Sequence, residues 1–426
     1  LSNIIDLFVK KLKILKSDAY SALRIPDFRR FLSARLITTL ATQMMSVSVG
    51  YLMYELTHSP LMLGYIGLSE AIPAICVSLI AGHLIDKHNR KVIIACCIGL
   101  LLTCAAVLLF LVHQIGILPN QVLIYSIFGV VFFTGIGRGF ASPANFSFLP
   151  QLVGKENLSN AITWGSTTWS VASISGLGMG GLLYGYLGVQ TTFMVICTLL
   201  FTGLMFMLSI GSRPVPISNT SEKAWTRIKA GLAFVYGNKL IFAASAMDLF
   251  SVLFGGAVAI LPVFAKDILF VGPEGLGWLR ASMSIGAIGM GFLIAHRNMG
   301  KNAGKIMLAC VAGFGVCIII FGLSKYFWLS FACLLVAGML DEVSVFVRSS
   351  LIQHQTPDHM KGRVSSVNSI FITSSNELGA FESGLAAELM GTVPSVVFGG
   401  CMTLLIVLFT WVYAPKLRDL DINTIK

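Results

Sequence analysis

Gly82-His83-Leu84-Ile85-Asp86-Lys87-His88-Asn89-Arg90-Lys91 is the segment on which the reading of this chain turns. It sets charged and titratable side chains between two long apolar runs, which places it in water at a membrane surface with a spanning helix on each side. Asp86 closes the first helix, Lys87 follows it, and Arg90 and Lys91 open the second. Across so short a turn the carboxylate meets cations and a helix N-terminus. Gly82, Asp86, Lys87, Arg90 and Lys91 therefore read as a charge latch between two spans, with a structural or gating role and no contact with substrate. His83 and His88 flank it, either solvated or lending it pH sensitivity.

Outward from this segment the chain is 56% hydrophobic and 12% charged, with a mean hydropathy of +0.83, whereas soluble domains carry about 25% charged residues. It is an integral membrane protein. A spanning helix needs roughly 20 apolar residues, and twelve segments qualify, near 29–55, 61–85, 92–112, 121–145, 158–185, 190–210, 240–264, 276–295, 305–323, 327–350, 364–389 and 393–413. The expected fold is all-α, twelve transmembrane helices in two pseudo-symmetric six-helix bundles.

A net charge of +11 raises nucleic acid as a partner, but the placement of the charges excludes it. With the N-terminus cytoplasmic, only Lys266 and Lys325 of the 30 Lys and Arg residues fall in the opposite loops, and Arg35, Arg138, Arg280 and Arg348 lie within spans. That asymmetry is the positive-inside pattern, and it puts both termini in the cytoplasm. All nine cysteines fall in apolar spans without a CxxC pair, so they read as packing residues. No signal peptide is expected at the start of the chain, where the first span would direct insertion.

Residues 1–28 form a cytoplasmic amphipathic segment: Ile5, Phe8, Leu12 and Leu15 share one helical face and Lys10, Lys11, Lys13 and Lys16 occupy others, which suits an anionic inner leaflet. Residues 211–239 form a cytoplasmic linker in which Ser221 caps an interfacial helix striped by Trp225, Ile228, Leu232 and Val235 and ended by Gly237-Asn238. The linker divides a first bundle (29–210) from a second (240–413), and 414–426 is a cytoplasmic tail. At an offset of 203, Gly135 matches Gly338, Gly176 matches Gly379, Gly181 matches Gly384, Leu182 matches Leu385 and Gly188 matches Gly391. Two related halves around a midplane site are a transporter architecture.

Twelve spans, a central linker and Gly82-x-x-x-Asp86-Lys87-x-x-Arg90-Lys91 together resemble the major facilitator superfamily, with Asn89 where the family signature has glycine. Asn is expected to take the left-handed turn there. Ser142-Pro143-Ala144, Leu149-Pro150-Gln151-Leu152-Val153, Gln355-Thr356-Pro357-Asp358, Gly362-Arg363-Val364 and Ser375-Asn376-Glu377-Leu378-Gly379 are similar to the branch of that superfamily containing the enterobactin exporter and macrolide efflux proteins. The equivalent latch in the second half, Gly291 to Lys301, has Ala295 in place of the acid.

Ionisable side chains inside spans are the informative set, because each costs about 2.5–3.5 kcal/mol at a helix centre on insertion scales. The four arginines face Glu70, Asp248, Asp341, Glu342, Glu377 and Glu382, with Glu55 and Glu388 near span ends. The acids in surplus are candidates for carrying a proton. Asp341 and Arg348 share one helix face about 10 Å apart, too far to neutralise each other, and Asp248 shows no local partner. The resemblance implies that spans 1, 4, 7 and 10 line the cavity. By the repeat, Arg138 takes the place of Asp341, and a cross-cavity pair of Arg138 with Asp341 or Glu342 is expected. Arg35 and Arg348, near cytoplasmic ends, are substrate candidates with snorkelling as the alternative. Arg280 is read as snorkelling at the outer face.

Gly176-x-Gly178-x-x-Gly181 matches a dinucleotide fingerprint in form only; no strand precedes it, and close helix packing is the reading. There is no phosphate-binding Gly-x-x-x-x-Gly-Lys-Ser/Thr loop, and the histidines lack metal-ligand spacing. No cofactor, metal or catalytic activity is expected. The expected protein is a monomer in a bacterial inner membrane whose partners are protons, lipids and a small molecule. What the resemblance implies is a secondary transporter exporting a siderophore or amphipathic drug by proton-coupled alternating access. A siderophore importer of the same fold, and a non-transporting receptor or lipid-handling protein, are the alternatives.

Overall fold

Proline and asparagine set where the helices begin. Pro26 and Pro60 stand in the first turns of α1 (Pro26–Thr57) and α2 (Pro60–Lys87), where a missing N–H costs nothing. Asn89 caps α3 (Arg90–His113) by accepting from the Lys91 N–H at 3.0 Å, and Asn238 caps α7 (Lys239–Gly255) by accepting from Leu240 and Ile241. Asn89 is extended, φ −65° and ψ 114°, so its role is a cap and not the left-handed turn expected of it. The computed structural model describes residues 20–211, 224–295, 302–357 and 360–421. The amphipathic N-terminal segment, the Ser221 cap and the degenerate second latch from 296 onward lie outside them.

The other long helices are α4 (Asn120–Leu152), α5 (Leu158–Leu208), α6 (Ala224–Gly237), α8 (Gly272–Ala295), α9 (Ala303–Leu323), α10 (Phe327–Gln355), α11 (Lys361–Met390) and α12 (Thr392–Tyr413). Ten helices among the described residues are long and apolar enough to cross a membrane. The 51 residues of α5 would run about 77 Å if straight, more than twice a ~30 Å hydrocarbon core. Gly188 interrupts it with φ 80° and ψ 166°. That conformation suits glycine alone, and it falls in the expected gap between segments 158–185 and 190–210.

The segment expected as one helix over 240–264 is broken. α7 stops at Gly255, Gly256 turns away (ψ 66°), and irregular helical turns run on to Ile268. The cause lies in the sequence: two adjacent glycines weaken the helix, and Pro262 lacks the N–H that Val258 would need. The freed Gly256 carbonyl accepts from Ser383 Oγ of α11 at 3.1 Å.

The repeat glycines hold equivalent positions. A methyl group at Gly135 would meet the α2 backbone at Glu70, and one at Gly338 the α8 backbone at Met283. Gly176 abuts Leu40 of α1, as Gly379 abuts Leu253 of α7. Gly181 lies on Gly277 of α8, as Gly384 lies on Gly64 of α2. Gly391, with φ 90°, repeats the joint at Gly188. Gly176 and Gly181 are thus packing residues, as expected, because lipid gives helices no hydrophobic reason to associate and close van der Waals approach must do so.

One buried apolar cluster runs through both sequence halves near the α1–α2 turn, from Met44 and Met53 to Leu279, Phe264 and Phe321. At the other end the clusters are separate: Phe28, Phe31 and Phe148 belong to the first half, and Met247, Met307 and Val347 to the second. The halves are packed together at one end and built independently at the other. Of the expected α6 stripe, Val235 is buried in the second-half cluster and Leu232 packs against it, so this part of the linker helix rests on protein and not on lipid. A Cβ at Gly384 would lie 2.8 Å from the Pro60 carbonyl oxygen. We expect Gly384→Leu to hold the α1–α2 end apart and to raise water-soluble maleimide labelling of a Ser59→Cys reporter several-fold; unchanged labelling would mean that this crossing does not control closure.

Candidate functional site

α2, α4 and α11 bring three charged side chains together. Arg138 Nη1 lies 2.9 Å from Glu70 Oε1 and 4.0 Å from Glu377 Oε1. Glu70 and Arg138 belong to the first half and Glu377 to the second. Glu377 reaches over because α11 crosses α2 at small residues: a Cβ on Gly67 would be 3.3 Å from Ala380 Cβ and 3.4 Å from Glu377 Oε2. Of the Arg138 side chain, 52% remains accessible. The expected pair of Arg138 with Asp341 or Glu342 is therefore corrected. Repeat-equivalent positions on α4 and α10 belong to different halves, and the acid that crosses between halves comes from α11.

A second pair lies within the second half. Arg348 of α10 donates to the Asp248 carboxylate of α7, with 3% and 7% of their side chains accessible. This corrects two expectations: Asp248 has a partner, and Arg348 does not snorkel. Asp341, half-buried, is within electrostatic reach of both. Asp341, Glu342 and Glu382 make no hydrogen bond or ion pair among the described residues. Glu342 points toward α8, its Oε1 3.9 Å from where a Cβ on Gly291 would lie. Arg35 lies against α5, its Nη1 3.2 Å from a Cβ at Gly165, without an ion pair among the described residues.

Around the opening segment, α2 runs to Lys87 and α3 starts at Arg90, so the turn is His88-Asn89 alone. The side chain of Asp86 lies outside the described residues, as does any placement of Gly82 beyond its helical backbone. Arg90 Nη1 donates to the Ser147 carbonyl at 3.0 Å, and Lys91 Nζ donates to the Leu208 carbonyl at 2.9 Å and to that of Ile210. Lys87 is exposed. The two basic residues that open α3 thus bind the C-terminal carbonyls of α4 and α5, where a cation also answers the helix dipole.

Tyrosines at the packed end were missed in the sequence. Tyr54 donates to Asp267, Tyr184 to Glu55, and Ser59 Oγ to Glu388 Oε2 at 2.9 Å. Lys266 Nζ lies 5.7 Å from the centre of the Tyr54 ring. Two of these bonds, Tyr54 to Asp267 and Ser59 to Glu388, join the halves. Glu55 and Glu388 were visible near span ends; their partners Tyr184 and Ser59, and the Tyr54–Asp267 pair, carried no signal at the level of spacing.

No group of three or more metal-ligating side chains occurs among the described residues. The arrangement places ion pairs between apolar helices, and the fold is that of a membrane transporter of the major facilitator type, a family not of enzymes. The chain belongs to the transmembrane secretion effector family of that superfamily, whose profile matches residues 17–425. It is 26% identical over 405 residues to the Enterobactin exporter EntS of Shigella boydii serotype 18, covering 92% of this chain and 93% of that one, and to that of Escherichia coli O1:K1 / APEC by the same measures. A bacterial homologue of the iron transporter ferroportin in an inward-facing state superposes with a TM-score of 0.71 at 14% identity, over 93% of this chain and 99% of that one. A D-xylose-proton symporter does so at 0.69 and 13%, over 94% and 99%. The substrate of such a protein is a small molecule.

Proposed function

We propose that this protein is a proton-coupled exporter of a siderophore or amphipathic drug across a bacterial inner membrane. In this reading twelve spans form two six-helix bundles, 29–210 and 240–413, joined by the linker 211–239, with both termini cytoplasmic. The ten apolar helices become twelve when α5 is divided at Gly188 and α11 is counted despite Glu377, Glu382 and Glu388, which lower its hydropathy. The packed α1–α2 end is then the outer end, and the structure corresponds to an inward-facing state.

The observation that carries the proposal is the Glu70–Arg138–Glu377 triad. Glu70 pairs with the guanidinium within its own half and Glu377 of the other half adds a second carboxylate at 4.0 Å, so protonating Glu377, or offering the guanidinium an anionic substrate, changes the force between the halves. Relatives aligned over nearly the whole chain are named as exporters. The test is deletion and complementation in the source organism under iron starvation, with siderophore assayed in medium and cells. We expect the deletion to deplete the medium and load the cells. Normal secretion with lost uptake of the iron complex would reverse the direction, and no change in either would leave drug efflux, tested next with cationic dyes.

A further inference from the structure

Arg35, Arg138, Arg280 and Arg348 lie away from the ends of the apolar helices, and three are accounted for differently from Arg280. Arg138 and Arg348 are ion-paired. Arg35 stays within the first half, from α1 to α5. Arg280 of α8 reaches across the halves: its Nη2 lies 4.0 Å from where a Cβ on Gly50 of α1 would stand, beside the ring of Pro262. Its Nε is shut off from solvent and has no hydrogen-bond partner, and the residue makes no ion pair among the described residues. Of the acids at that end, Asp267 is engaged by Tyr54, Glu55 by Tyr184 and Glu388 by Ser59, while Glu274, in the first turn of α8, lies against Gly185 of α5 and makes no ion pair with Arg280 among the described residues.

An unpaired guanidinium at a seam between helices is costly unless something neutralises it for part of the cycle. Its position is fixed by packing. Gly277 and Ala281, on either side, lie against Gly181 and Gly178 of α5, and Met283 and Gly286 lie against α10, which leaves Arg280 directed at α1. A Cβ at Gly50 would reach Nη2 and the Pro262 ring only at 4.0 Å, so the guanidinium is not pressed against α1. A planar fork of N–H donors matches a carboxylate or a similarly delocalised oxyanion.

We infer that Arg280 is an anion-binding residue at the seam of the two halves, taking a carboxylate-type group of the transported molecule. The inference rests on the exporter reading and narrows its substrate class to molecules bearing such an anion. Because Arg280 is carried by the second half and faces the first, an anion seated there adds negative charge where the halves meet.

The test uses purified full-length protein, with salicylate as the anionic probe and salicylamide as its uncharged counterpart. Thermal midpoints are measured across probe concentrations for wild type, Arg280→Gln and Arg280→Lys. The expected result is stabilisation of wild type by salicylate and not by salicylamide, an apparent affinity weakened about tenfold or more in Arg280→Gln, and an intermediate loss in Arg280→Lys, which keeps charge without the fork. Wild type indifferent between the two probes, or Arg280→Gln binding salicylate as tightly as wild type, would overturn it. Should Arg280→Gln not yield folded protein, Arg280→Lys decides: affinity equal to wild type overturns the inference, because the fork is then irrelevant. The siderophore assay reads the exporter proposal separately. Export with no Arg280-dependent binding sinks only the inference, and Arg280-dependent binding with no change in siderophore distribution sinks only the substrate proposal.

Discussion

Arg348→Leu is expected to destabilise the protein by about 3–5 kcal/mol, because it strands a buried carboxylate. Asp248 and Arg348 are the most enclosed ion pair described, with 7% and 3% of their side chains accessible, so water cannot take over the lost interaction. The reverse single variant, Asp248→Leu, strands the cation and is expected to cost a similar amount. Replacing both together, Asp248→Leu with Arg348→Leu, removes the two desolvation penalties along with the attraction, and should recover most of the stability. Asp341 lies within electrostatic reach of the pair, and losing Arg348 alone also removes the cation that offsets that second acid. Thermal unfolding of the detergent-purified variants, with the fraction eluting as a single species, checks this. Single variants as stable as wild type would mean that the pair contributes nothing, and a double variant worse than either single would mean that each side chain has other essential partners.

The spans were legible from their apolar runs, while the chemical marks at their ends were read only in part, Asn89 being expected as a left-handed turn where it is a cap. Pro26, Pro60, Asn89 and Asn238 start helices and Gly188 and Gly391 interrupt them, each for a reason that acts within a few residues. The break after Gly255 was equally local, and Gly255-Gly256 with Pro262 were its signals. They were outweighed by hydropathy, which responds to the composition of a window and not to backbone hydrogen bonds.

The ion pairs were legible as a set of side chains but not as partnerships. Insertion cost identifies Glu70, Arg138, Asp248, Arg348 and Glu377 one at a time, whereas which of them meet depends on helix crossings. The repeat was informative about equivalence: Gly181 on Gly277 mirrors Gly384 on Gly64. Equivalence places two residues at matching sites in different halves, and it does not place them in contact. The crossing of α11 on α2, marked by Gly64, Gly67 and Gly384, is what puts Glu377 beside Arg138. Arg280 was misjudged for a related reason. Distance from the helix end allows snorkelling, but its outlook toward Gly50 depends on how α8 packs on α5 and α10.

Glu377→Gln is expected to uncouple transport from the proton gradient while leaving downhill movement of substrate intact. Arg138 and Glu377 are 4.0 Å apart, which is worth about 1 kcal/mol in water and about 4 kcal/mol at an effective dielectric near 20. With 52% of Arg138 accessible, the lower part of that range applies. The driving forces are of the same size: about 1.4 kcal/mol per pH unit and about 2.3 kcal/mol for one charge through 100 mV. A proton arriving on Glu377 can therefore switch the attraction between halves off, and one leaving can restore it. Glu70, at 2.9 Å in the same half as Arg138, is expected to hold the guanidinium whether or not Glu377 is protonated. In proteoliposomes, a gradient of one pH unit should let wild type build up to about a tenfold substrate gradient for one proton exchanged, since 1.4 kcal/mol is a factor of ten. The same gradient should leave Glu377→Gln unchanged. Glu70→Gln should instead lower the rate with and without the gradient, because Arg138 is then less well held. Gradient-driven transport surviving in Glu377→Gln but lost in Asp341→Asn or Glu382→Gln would move the proton to one of the acids that stand without a partner among the described residues, and the triad would be left with holding the halves together.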